Sequence, residues 1–235
     1  MNYLLEVCLA VCLTIGATPS LGAQSNAEIP TLQKGISVQM PVARSAVLIP
    51  EADHEDALVV TITEDGNVFV RLDLADPAAL AGRVAEALSS QAEKKLYIKA
   101  DARAPYSQVV RVLSAVRSAG VQEPGLLTAQ PGSHPSAISV SPRGLRVFTA
   151  VRGSSGSEDI VVQLTTSEQS NTILTINGEP VPPASLQGRI EQLLQKSSSK
   201  FIQIEADENL QFADVVELID VCRSIGAKIV LVTAP

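Results

Sequence analysis

One stretch of this chain occurs twice, and that repetition limits the possible folds more than any other feature. Leu96–Gly120 (LYIKADARAPYSQVVRVLSAVRSAG) returns 106 residues later as Ile202–Gly226 (IQIEADENLQFADVVELIDVCRSIG). Eight of the 25 paired positions are identical: Ile98/Ile204, Ala100/Ala206, Asp101/Asp207, Val109/Val215, Val110/Val216, Arg117/Arg223, Ser118/Ser224 and Gly120/Gly226. Tyr106/Phe212 keeps an aromatic ring, and most other apolar positions stay apolar. Each copy reads as a strand, a turn entered through an aspartate, and a helix closed by glycine. Val109, Val112, Leu113 and Val116 form the expected buried stripe of the first helix, and Gly120 is its expected terminator.

The repetition extends beyond this unit. Leu58–Thr63 and Val68–Leu72 read as strands around Glu64-Asp65-Gly66-Asn67, a tight hairpin. Asp76-Pro77 is a helix start, followed by Leu80, Val84 and Leu88 at period four. Gly125–Thr128 is a closing strand. In the second half, Ile160–Thr165 and Thr172–Ile176 form the hairpin and Ile229–Thr233 the closing strand. Pro183–Arg189 copies Pro77–Arg83 at the same shift, and Ile138-Ser139-Val140 echoes Ile36-Ser37-Val38. Each copy therefore reads as ββαβαβ, which implies an α/β class of two-layer α+β type, with two helices on a mixed sheet. The expected organisation is a hydrophobic leader or membrane helix (1–23), a linker with a short extended segment (24–56), a first domain (57–130), a turn-rich linker (131–137) and a second domain (138–235). Duplicated domains are expected to form a pseudo-symmetric pair, by analogy with two-fold homodimers.

Composition excludes several classes. At 46% hydrophobic and 18% charged residues the chain is globular rather than disordered. Net charge is −7, and Lys94–Lys95 is the densest basic pair, so the clustered positive charge of a nucleic-acid footprint is missing. Cys8 and Cys12 fall in the apolar leader and leave only Cys222 in the body, which excludes a disulfide framework there. Residues 3–17 are nearly continuously apolar, with Glu6 the only charge. Two readings stand for this leader: a signal peptide cleaved after Ala23, or a membrane segment stretched to Ala23. A carboxylate inside an apolar membrane segment is costly and marks function. In a cleaved leader Glu6 has no role in the mature protein.

Asp101 and Asp207 stand at the carboxyl ends of parallel-type strands, where ligands bind in open α/β sheets. The plainer reading, which the sequence favours, is that each ends a strand and accepts local backbone N–H groups. No base, metal ligand or glycine-rich loop accompanies either one. His54 and His134 are 80 residues apart and offer no zinc spacing. Ser154-Ser155-Gly156-Ser157 lacks the lysine of a phosphate loop, and no Gly-x-Ser-x-Gly is present. No catalytic constellation, metal site or cofactor site can be assembled, and the chain is not expected to be an enzyme.

Taken in order, Val38-Gln39-Met40-Pro41, Asp65-Gly66, Ile98-Lys99-Ala100-Asp101, Tyr106, the Val109–Gly120 helix and Gly125-Leu126-Leu127-Thr128 resemble the periplasmic domain of the ExbD/TolR family. Ile204-Glu205-Ala206-Asp207, Phe212, Gly226 and the turn Ile176-Asn177-Gly178 repeat the resemblance. It covers about residues 36–130, with a second copy at 138–235. The resemblance implies a single-pass inner-membrane protein of the bacterial cell envelope with periplasmic domains that dimerise, here as a homodimer or as a pseudo-dimer within one chain. It implies an ExbB/TolQ-like channel partner, TonB/TolA-like proteins driven by the proton gradient, and contact with the cell wall. Leu5-Glu6-Val7 resembles the Ile-Asp-Val context of the family's protonated aspartate, which makes Glu6 the candidate for proton coupling. Asp101, Tyr106, Asp207 and Phe212 are candidate structural or partner-binding positions. The alternative is a soluble periplasmic binding or scaffolding module without motor function.

Overall fold

Strand β1 (Val47–Leu48), β2 (Leu58–Ile62), β3 (Val68–Val70) and β4 (Asp73–Leu74) precede helix α1 (Leu80–Ser89), β5 (Leu96–Ala100), α2 (Tyr106–Ser118) and β6 (Gly125–Thr128). The chain continues through β7 (Arg143–Arg146), β8 (Phe148–Val151), β9 (Ile160–Thr166), β10 (Thr172–Ile176), β11 (Glu179–Pro180), α3 (Leu186–Lys196), β12 (Phe201–Ala206), α4 (Phe212–Ser224) and β13 (Lys228–Thr233). The computed structural model describes residues 35–89, 95–132, 141–153, 159–167 and 172–233. All of them belong to one unit, Thr31–Pro235.

Local chemistry accounts for most element ends. The Asp76 carboxylate accepts the Ala78 N–H at 2.8 Å and caps the turn that leads into α1. Leu80, Val84 and Leu88 are the buried side of that helix, as their spacing predicts. Gly120 and Gly226 take φ values of 88° and 79° just past α2 and α4, the conformation glycine adopts without a Cβ clash. The turns between β3 and β4 and between β10 and β11 differ in quality. Asn177 (φ 50°) and Gly178 (φ 84°) suit left-handed backbone, whereas Arg71 (φ 59°) holds the position equivalent to Asn177.

The strands form two mixed sheets. The first has seven strands in the order β1-β7-β6-β5-β2-β3-β4, and the second has six in the order β11-β10-β9-β12-β13-β8. β2, β5 and β6 run parallel, as do β9, β12, β13 and β8, while β3 and β10 turn back antiparallel. One buried apolar core draws from both halves, including Ile98, Val112 and Leu113 from the first and Ile204, Val215 and Ile219 from the second.

Two features have no counterpart in the sequence reading. First, β7 pairs antiparallel with β6 and so completes the first sheet, Val147 is fully buried, and β8 pairs parallel with β13 in the second sheet. A single extended run, Arg143–Val151, is thus shared by both sheets. Gly144 makes its docking possible, because a Cβ there would meet the Leu126 carbonyl oxygen and the Ile49 side chain. Second, the outer face of the first sheet is covered. Glu51–Asp56 reads from sequence as a flexible acidic stretch, but Pro50–Asp53 forms a 3₁₀ turn. Ile49 and Ala52 flank and join this turn and bury themselves with Val59, Tyr97 and Leu127. Burial of apolar surface supplies the order that the acidic side chains do not.

Gly144→Ala is expected to lower stability by about 1–3 kcal/mol, the usual cost of overpacking. A urea midpoint unchanged from the parent protein would show that β7 does not pack as closely as described.

Candidate functional site

The candidate positions Asp101, Tyr106, Asp207 and Phe212 gather in one place, where the two halves meet. A helix leaves its first N–H groups without intrahelical acceptors. At this seam each helix finds them on the other half. The Tyr106 N–H donates to the Leu210 carbonyl at 2.9 Å and the Ser107 N–H to the Glu208 carbonyl at 3.0 Å. Reciprocally, the Phe212 N–H donates to the Ala104 carbonyl at 3.0 Å and the Ala213 N–H to the Ala102 carbonyl at 2.9 Å. Each of these bonds maps onto its mate under the 106-residue shift. Pro105 and Gln211, themselves equivalent, pair antiparallel at the centre. Pro105 has no N–H to satisfy, and the Gln211 N–H donates to the Asp214 carboxylate at 3.3 Å.

The aspartates build the turns that deliver these groups. Asp101 ends β5 and is only 3% exposed. One of its carboxylate oxygens accepts the Gln39 N–H at 2.9 Å, and the other accepts the Arg103 backbone N–H at 3.0 Å and the Arg103 Nε at 3.1 Å. Arg103 also pairs with Glu64 at 2.8 Å. Burial raises the Asp101 pKa, but the hydrogen bonds from Arg103 and Gln39 and the Arg103 charge outweigh it and hold the carboxyl below its ordinary value. Asp207 ends β12 and is half-buried; its Oδ1 accepts the Asn209 backbone and side-chain N–H groups, both at 3.0 Å. Tyr106 and Phe212 open α2 and α4 and are both fully buried. The Tyr106 hydroxyl has no partner, and burial pushes its pKa up. Glu6 lies outside the described residues.

The polar groups that join the halves here are main-chain donors and acceptors, and the Asp101 and Asp207 carboxylates are engaged in hydrogen bonds. Among the described residues no group of three or more His, Cys, Asp or Glu is placed to hold a metal ion. Cys222 is buried in α4, and burial pushes its thiol up to about 12. No helix among the described residues is long and apolar enough to cross a membrane.

Several residues that matter here were not singled out from the sequence. Lys99 is half-buried, burial lowers its pKa, and its Nζ donates to the Ile36 carbonyl at 3.0 Å. Asp220 on α4 accepts the N–H groups of Arg44 and Ser45 at 2.9 and 2.7 Å. Nothing local announces Asp220, because its partners lie about 175 positions away in the chain. Of the arginines that recur between the repeats, Arg83 donates to the Leu74 carbonyl and Arg189 pairs with Glu179.

The fold and this seam define a class of protein built from strand–turn–helix units that join through main-chain contacts. The family described as biopolymer transport protein ExbD/TolR matches residues 26–130 and again 148–235, and the chain belongs to that family. A biopolymer transport protein ExbD from Pseudomonas aeruginosa is 29% identical over 101 residues, covering 43% of this chain and 74% of its own length. A Tol-Pal system protein TolR from the same organism is 27% identical over 113 residues, covering 43% of this chain and 77% of its own length. No solved structure matches.

Tyr106→Phe, which copies Phe212, removes a buried hydroxyl without a partner and is expected to raise stability by about 1 kcal/mol; a lowered thermal midpoint would contradict this. Asp101→Asn tests the carboxylate. Because the folded pKa is depressed, its contribution is complete above the ordinary aspartate range and disappears as pH falls through the lower folded value. The variant is expected to lose about 1–3 kcal/mol at neutral pH. That gap from the parent should narrow in urea titrations as pH falls below the ordinary aspartate range. A gap independent of pH would mean that the charge is not what matters.

Proposed function

We propose that this protein is a non-enzymatic component of a proton-motive-force-coupled energy-transduction complex of the bacterial envelope, acting through protein contacts in the periplasm. The observation that carries this reading is the double match to one family, at 26–130 and at 148–235. Relatives named for biopolymer transport and for the Tol-Pal system support it. The chain holds two family domains in tandem, and the seam between them stands in for a homodimer contact. The reciprocity of its four hydrogen bonds supports this, since a two-fold interface repeats each contact with the partners exchanged.

In this reading residues 3–23 anchor the chain in the inner membrane beside an ExbB/TolQ-like partner. Glu6 takes up and releases a proton within the span, where a carboxylate is costly and marks function. The periplasmic domains engage a TonB/TolA-like protein or the cell wall. No cofactor enters the mechanism.

The full chain is expected to stay with membranes through alkaline extraction and to co-purify with a multi-span protein. Glu6→Gln is expected to abolish proton-coupled work, with Glu6→Asp retaining it. A soluble protein whose mature N-terminus lies near Gln24 would overturn the anchor and the Glu6 role together. The periplasmic binding module without motor function would then take their place.

A further inference from the structure

The seam is symmetric, but what holds it is not. Residues 36–46 cross the first half and reach onto the second. Lys99 Nζ grips the Ile36 carbonyl, and the Asp101 carboxylate takes the Gln39 N–H. The Gln39 carbonyl in turn accepts the Ala102 N–H at 2.7 Å. Further along, Ala43 and Pro41 exchange main-chain bonds with Ala129. The segment then passes to α4, where the Asp220 carboxylate takes two consecutive N–H groups, Arg44 and Ser45, and the Ser45 hydroxyl donates to the Asp220 carbonyl.

Ala102 is the point of coupling. Its N–H is held by Gln39, and its carbonyl accepts the Ala213 N–H across the seam. Its neighbours on either side are tied to each other, since Asp101 accepts from both Gln39 and Arg103. A hydrogen-bonded path therefore runs from Gln39 through one turn to the start of α4. The same segment is fastened to α4 eight residues beyond Phe212, at Asp220. The matching turn of the second half shares the local closure, Asp207 on Asn209 as Asp101 on Arg103, while the bond from Gln39 belongs to Asp101. The position equivalent to Asp220 in α2 is Ser114, which has no carboxylate to offer.

We propose that residues 36–46 are a strap, latched to α4 by Asp220 and to the Ala102 turn by Gln39, and that release of the strap loosens the seam while both sheets stay folded. A partial opening of this kind is physically reasonable. At the helix starts the seam is held by four main-chain bonds over a share of the common core, whereas the sheets are held by continuous strand ladders, and regions of unequal stability open separately from the global transition. The proposal deepens the function proposed above, because the strap is the stretch through which an anchor in the preceding residues would act on the paired domains. Its structural content does not depend on that anchor.

Amide hydrogen exchange on the full chain tests this. In the parent protein, exchange is followed as small amounts of urea are added. The strap amides of Gln39, Arg44 and Ser45 and the seam amides of Tyr106, Ser107, Phe212 and Ala213 are expected to share one opening. That opening should precede exchange of Ile98 and Ile204 in the sheets. Asp220→Asn is expected to speed exchange of both sets about tenfold and to leave Ile98 and Ile204 unchanged. Seam amides that exchange only together with Ile98 and Ile204, or that keep their parent rates while Arg44 and Ser45 are released, would overturn the strap. If Asp220→Asn does not fold, the urea series on the parent protein decides alone. A soluble chain beginning near Gln24 that still shows the shared opening would remove the anchor and leave the strap standing.

Discussion

Four main-chain hydrogen bonds at the starts of α2 and α4 determine how the two halves of this protein face each other. They exist because every helix begins with N–H groups that its own turns cannot satisfy. Most helices answer this with a capping side chain. Here Pro105 precedes α2 without a side-chain cap and Gln211 shares a capping box with Asp214 at the start of α4, and in both helices the first donors go to the carbonyls of residues 102, 104, 208 and 210. Each half supplies donors and acceptors in equal number, so neither can satisfy its helix without the other. The placement of Asp101, Asp207, Tyr106 and Phe212 follows from this exchange. The aspartates shape the turns that present the carbonyls, and the aromatic residues fill the space beneath the helix starts.

The two halves then diverge in what surrounds that common frame. Asp101 is buried and bonded to the strap, whereas Asp207 is more open and bonded locally. Tyr97 on β5 lies beneath Ile49 and Ala52, while its equivalent Gln203 on β12 joins a polar pair with Asp159. Lys99 binds the Ile36 carbonyl, while its equivalent Glu205 accepts from Gln163. In each case the first half uses the position to hold residues 36–57, and the second half uses it for a bond within its own half. The two halves share the frame and differ in what the positions around it hold. For a transport-family protein this gives two related surfaces with different chemistry on one chain.

Legibility from sequence varied with the range of the interaction. The helix stripes at Leu80/Val84/Leu88 and Val109/Val112/Leu113/Val116, and the terminating glycines Gly120 and Gly226, were readable because periodicity and positive φ leave local marks. The hairpin strands were readable for the same reason, although the left-handed turn at Arg71 ends β3 two residues sooner than its apolar run suggests. β7 was not readable. Arg143-Gly144-Leu145-Arg146 lacks a strand-like run of β-branched or aromatic residues and is held by pairing to β6 and by a close approach that only glycine permits. The importance of Asp220 was equally hidden, since one carboxylate on a helix reads as a solvated face until residues 44 and 45 are seen to lie on it.

By itself the sequence determined the main strands and helices of each repeat, the repetition at 106 residues and, through the residues that carry the resemblance, the ExbD/TolR family. All three depend on side-chain type at a fixed spacing, and side chains are what a sequence records. The tertiary structure alone decided that the helix starts exchange main-chain bonds, that Arg143–Val151 belongs to both sheets, and that residues 36–46 reach across to α4. Those arrangements are made largely of backbone N–H and carbonyl groups, which almost every residue possesses. Nothing in the identity of Ala102 or Leu210 says which distant group it will meet; only the folded chain brings the two together.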